Sequence, residues 1–173
     1  MRPAIVAFAA AAVLAPAAIA VAAEAWSVQT FRSAGFSIEA PTQLTAQPAA
    51  QVEGAGTMLA FSGTLDGLAY VATSTNVANL PGIREAAPAD VAQAVMDGAL
   101  EGNTLVSQRP SPYPAGAARD FIVRSPDGKM LRNRVVFHYP WVYSIMVGVQ
   151  AGNAAALDSP AADRYLNSIK PAN

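Results

Sequence analysis

The feature that most constrains this chain is a succession of β-branched and aromatic runs separated by residues that reverse a backbone. Met58 to Leu65 is followed by Asp66-Gly67 and then Leu68 to Val77. Ala117 to Arg124 is followed by Ser125-Pro126-Asp127-Gly128 and then Lys129 to His138, and Tyr139-Pro140 leads into Trp141 to Gln150. Asp-Gly is the pair that a two-residue hairpin loop favours, because both central residues take positive φ. Pro-Asp-Gly suits a type I turn that ends on a left-handed glycine. Each hairpin fixes a register. The first pairs Leu65 with Leu68, Gly63 with Tyr70 and Phe61 with Ala72, and the small Gly63 is expected to make room for the Tyr70 ring.

Two helices interrupt these strands. After the Pro81-Gly82 connector, Pro88 opens a segment in which Asp90, Gln93, Asp97 and Glu101 share one stripe. Val91, Val95, Met96, Ala99 and Leu100 occupy the opposite face, and Gly102 supplies the stop. Near the end, Asp158-Ser159-Pro160 is a cap-plus-proline start, and Ala162, Tyr165, Leu166 and Ile169 follow at helical spacing. Trp26 to Phe31 and Gly35 to Ala40 form an opening strand region closed by Pro41, residues 42–56 show no period and are expected to be loop, and Thr104 to Arg109 is a further strand. The order predicts an α+β fold, a mostly antiparallel β-sheet of about six strands covered by helices.

The N-terminal segment stands apart. Residues 3–23 carry no charge, and twelve of the first 23 residues are alanine. Arg2, the apolar run Ala4 to Val21 and the A-x-A site at Ala20-Val21-Ala22-Ala23 have the form of a signal peptide over residues 1–23, cleaved after Ala22 or Ala23. Large apolar side chains are too few for a good membrane anchor, so no stable membrane span is expected after leader removal. The expectation is an exported protein of the periplasm or extracellular space, with residues 24–173 as one domain. A domain of that length buries enough surface to fold without staples.

The sequence has no cysteine and one histidine, His138. Thiol catalysis, disulfide frameworks, iron–sulfur clusters and Cys/His zinc sites are therefore excluded. Charge is uneven: Glu24 to Asn103 balances at −6, Thr104 to His138 at +4, and the tail is neutral. A mature chain with a net negative charge is a poor match for nucleic acid, which calls for a basic surface.

The opening Gly-Phe-Ser-Ile-Glu-Ala-Pro, the helix before Gly102-Asn103, the strands around Ser-Pro-Asp-Gly, the Arg132-x-Arg134 strand, Val-Tyr-Ser-Ile-Met-Val and the closing Tyr-Leu-Asn-Ser-Ile-Lys helix together resemble secreted bacterial proteins of the PsbP-like fold. That fold is an α-β-α sandwich shared by an extrinsic subunit of the photosystem II oxygen-evolving complex and by a small Ran-binding nuclear import factor. The resemblance runs over roughly residues 26–170 as an order of elements. It implies a non-catalytic accessory or binding domain. The metal and Ran contacts of those relatives have no matching motif here, so no metal site and no cofactor is expected.

The site candidates follow from register. A Pro126-Asp127-Gly128 loop pairs Ser125 with Lys129, placing Ile122 opposite Arg132 and Asp120 opposite Arg134. A Tyr139-Pro140 loop sets His138 opposite Trp141 and Val136 opposite Tyr143. One sheet face then carries Arg132, Arg134, His138, Trp141 and Tyr143, a set able to hold a partner or a small anionic or aromatic ligand. Alternatively, Asp120 neutralises Arg134, the arginine stems cover apolar surface and a helix packs over them. Phe121, Val123, Leu131, Val135 and Phe137 form the opposite, core-facing side.

No Gly-x-Ser-x-Gly or His-Glu-x-x-His pattern accompanies His138, and its turn position suits a surface residue. Asp97 and Glu101 are too few for a calcium site. The leading expectation is an exported accessory domain engaging an envelope protein partner. A ligand-binding module on the arginine–aromatic face is the first alternative, and a hydrolase of unrecognised type the second.

Overall fold

In a computed structural model the chain is described for residues 26–52, 54–111, 113, 118–149 and 153–171. The leader expected at residues 1–23 lies outside the described residues. Strands β1 (Ser27–Phe31) and β2 (Phe36–Ala40) form a hairpin around the short 3-10 turn Arg32–Ala34. Gly35 closes that turn at φ 71°, where a Cβ would stand 2.8 Å from the Trp141 ring, so the indole packs directly on the backbone. The segment after β2 contains β3 (Thr45–Ala46) and β4 (Ala50–Val52), both paired to the edge of β5 (Gly56–Leu65). The expected loop over residues 42–56 is therefore partly strand. Its two short strands are largely exposed, so no apolar alternation marks them in the sequence.

β5 turns into β6 (Leu68–Asn76) through Asp66 and Gly67, which both have positive φ. The pairs are Leu65–Leu68, Gly63–Tyr70 and Phe61–Ala72, as the Asp-Gly turn predicts. Gly63 has a different purpose from the one expected. A Cβ there would meet the Gln43 carbonyl at 2.7 Å and the Thr42 methyl at 2.8 Å, so its missing side chain admits the strap over residues 42–44 rather than the Tyr70 ring. Gln29 of β1 pins that strap, with Nε2 donating to the Thr42 carbonyl and Oε1 accepting from Leu44 N–H.

Helix α1 (Pro88–Ala99) follows, then β7 (Thr104–Pro110), β8 (Ala118–Arg124), β9 (Met130–His138) and β10 (Trp141–Val149). A second 3-10 turn (Ala154–Asp158) leads to α2 (Pro160–Asn167) and β11 (Lys170–Pro171). The main sheet runs β3-β5-β6-β10-β9-β8-β7, with β4 also on β5, and a small sheet runs β1-β2-β11. All its pairings are antiparallel. The meander β8–β9–β10 adopts the register that its turns predict, including Asp120 opposite Arg134 and Val136 opposite Tyr143.

Both faces of the main sheet are core. On one, Val91, Val95 and Met96 of α1 meet Phe121, Val123, Val135 and Phe137. On the other, Tyr165, Leu166 and Ile169 join Tyr70, Tyr143 and Ile145, with Phe36 and Ile38 of the small sheet completing the layer. The result is a helix–sheet–helix sandwich whose arginine-bearing face looks inward.

Candidate functional site

Arg132 and Arg134 lie two residues apart on β9, so both point to the α2 side of the sheet. Their side chains are 4% and 3% exposed. Arg134 grips Asp120 of β8 in a two-pronged ion pair, Nε donating to Oδ1 at 2.7 Å and Nη2 to Oδ2 at 2.6 Å. Its Nη1 donates to the Leu166 carbonyl at 2.9 Å and to Asn167 Oδ1 at 2.6 Å, at the C-terminal end of α2. A cation there also meets the negative end of the helix dipole and carbonyls that the helix leaves open.

Arg132 holds the other end. Its Nη1 donates to the Leu157 carbonyl at 2.9 Å, and its Nη2 pairs with Asp163 in the first turn of α2 at 2.7 Å. Asp158 is 3.8 Å away. The two arginines thus fasten both ends of α2 to the sheet.

Tyr143 is fully buried and donates from its hydroxyl to the Gly35 carbonyl at 2.6 Å. Burial raises its pKa well above the ordinary phenol range, so it acts as a fixed donor. Trp141 is half-buried on Gly35. His138 is exposed at the hairpin tip. The five sequence candidates share the expected face, but they divide: Arg132, Arg134 and Tyr143 hold the fold together, whereas His138 and part of Trp141 remain at the surface. An anion could reach the arginines only by lifting α2.

At the tip, Tyr139 is 38% exposed and the Arg84 guanidinium carbon stands 5.2 Å from its ring centroid. The turn contains a cis Tyr139–Pro140 peptide, and the Pro140 carbonyl accepts from Val77 N–H at 2.8 Å, tying the tip to the end of β6. Sequence reasoning did not single out Arg84 or Tyr139, because their meeting depends on the path of the connector over residues 77–87. Nor did it find the acceptors of the two arginines on α2. Among the described residues, no side chain forms a hydrogen bond with His138, and no three acidic or histidine groups cluster to hold a metal ion.

An eight-stranded antiparallel sheet covered by one helix on each face, with a small sheet sharing the second layer, defines an α+β sandwich of the PsbP-like fold. The chain is similar to the solution structure of cyanobacterial PsbP (CyanoP) from Synechocystis sp. PCC 6803, with a TM-score of 0.56 and 9% identity, covering 90% of this chain and 98% of that one. At that identity the likeness concerns the fold. No protein-family model matches the sequence, and no curated protein matches it.

Proposed function

We propose that this protein is an exported, non-catalytic accessory domain that engages a protein partner of the cell envelope through its hairpin tip. The leader-like residues 1–23 and the PsbP-like fold support export and an accessory role. Among the described residues no helix is long and apolar enough to cross a membrane. The observation that carries the reading is the division of the basic and aromatic residues. Arg132, Arg134 and Tyr143 are bonded within the chain, while Arg84, Tyr139 and His138 present cationic and aromatic groups outward from a tied turn. Arginine and tyrosine in that setting are the residue types that dominate interface energetics. The ligand-binding alternative on the Arg132/Arg134 face requires α2 to detach. A hydrolase would need a nucleophile and an orienting carboxylate bonded to His138.

The test is capture from the native envelope fraction with the mature protein and with the Arg84→Ala/Tyr139→Ala variant. A partner retained by the wild type and lost by the variant supports the reading. Retention by both, or no partner with either, overturns the tip as the binding surface.

A further inference from the structure

The main sheet ends differently at its two edges. At one, β3 and β4 pair along β5, and both are very short, which leaves little edge for another chain to join. At the other, β7 pairs with β8 on its inner side, and no described strand pairs with its outer side. Every residue from Thr104 to Gln108 is exposed, and none of them is charged. Leu105 and Val106 are 40% and 44% exposed. A β-bulge lies between Leu105 and Ser107, so Val106 has no partner on β8 and the alternation of side chains between the two faces breaks there. The other exposed large apolar side chains among the described residues, Val28 and Tyr139, stand singly on the small sheet and at the hairpin tip.

An open edge offers unpaired N–H and C=O groups, and the surface that complements them is another extended strand. Charge decides which strand fits. On the α1 side, the start of β7 is flanked by exposed Glu101. The far end is flanked by Arg119 of β8, which pairs with Pro110 and has its Nε 3.4 Å from Gln93 Oε1 on α1. Antiparallel pairing of β7 with a second β7 brings the Glu101 end of each copy to the Arg119 end of the other, twice by symmetry. The uncharged stretch Thr104–Gln108 then lies against itself with no like charges opposed. Arg124 also stands at the Thr104 end but, in register with Asp120 and Ile122, belongs to the α2 side of the sheet, away from Glu101. With the other edge capped by β3 and β4, such an assembly closes at two copies.

We infer that β7 pairs antiparallel with β7 of a second copy, forming a two-fold dimer whose main sheet runs through both subunits. Antiparallel pairing turns the two hairpin tips in opposite directions, so the dimer neither uses nor blocks them.

Sedimentation equilibrium of the mature protein, from low micromolar to millimolar concentration, should show reversible exchange between monomer and dimer, because one strand from each copy makes a contact at the small end of stable interfaces. Amide hydrogen exchange from Thr104 to Gln108 should slow as the concentration rises. Val106→Lys, at an exposed position, sets two lysines near each other across the axis and should weaken the dimer about tenfold. Glu101→Arg and Arg119→Glu should each weaken it and the double exchange should restore it, a rescue that a merely destabilised fold would not give. Circular dichroism checks that each variant folds, and Glu101→Arg, outside every strand and helix, serves if Val106→Lys does not. A monomer at every concentration, a dimer indifferent to Val106→Lys, or growth beyond two copies would overturn the inference, as would a strand of a different protein found bound along β7 of a monomer.

Discussion

The Arg134 guanidinium faces four oxygens, two from Asp120, one from the Leu166 carbonyl and one from Asn167, at 2.6–2.9 Å. Removing one member of such a buried pair leaves the other charged and dry, so Arg134→Ala should lower unfolding free energy by about 3–5 kcal/mol. Urea denaturation measures this, and near-wild-type stability would mean that the face is open rather than packed. Arg164 and Glu39 form an exposed pair, with Arg164 also stacked on Trp26 at 4.3 Å, and Arg164→Lys should barely move the urea midpoint. At the β8–β9 turn, the Lys129 ammonium at 2.7 Å and the Ser125 hydroxyl depress the Asp127 pKa to about 2. A depressed carboxylate stabilises the folded turn above its unfolded value near about 4, and that contribution disappears as pH falls through 2. An NMR titration of the Asp127 carboxyl carbon should therefore show a midpoint near 2. A midpoint near 4 would mean that the turn does not hold its ion pair in solution. The sequence displayed Asp120 opposite Arg134, because turn chemistry alone sets that register. It did not display Asn167 or Asp163, because those residues reach the arginines from more than 25 positions away.

Among the elements, α2 is the one whose seating the arginines decide. It is eight residues long, too short to persist alone, and it depends on its cap, its buried face and the clamps from β9. Ser159 accepts from Ala162 N–H at 3.2 Å, so Ser159→Ala should cost about 1 kcal/mol in chemical denaturation, a loss that Ser159→Asp should largely avoid. The strap over residues 42–44 is a second tertiary element. Gly63→Ala pushes a methyl into the Gln43 carbonyl and should destabilise by about 1–3 kcal/mol, comparable to overpacking in a core. Local signals found the long strands and both helices, since each carries period, cap or turn residues of its own. They missed β3 and β4, which pair with the edge of β5, and they ran the closing helix through Ile169 and Lys170, where α2 ends at Asn167 and β11 pairs with β2 instead.

For the whole molecule, the two apolar layers share one sheet, with Val135 facing α1 and Val136 facing the other layer from adjacent positions of β9. Loss of either layer should therefore unravel the other. Thermal unfolding followed by near-UV and far-UV circular dichroism should give one coincident transition, whereas two separated transitions would show that the layers melt independently. The amino-acid sequence by itself determined the α+β class, the hairpin registers and the residues that share each face. Those follow from turn chemistry and from the period-two and period-3.6 placement of apolar side chains, which act within a few residues. Only the tertiary structure decided what lies over each face. The arginine face receives α2 and becomes interior, and the opposite face of β8 and β9 receives α1. Neither outcome is local, because each depends on where a distant helix docks, and that is settled by the fit of whole layers rather than by any stretch of chain.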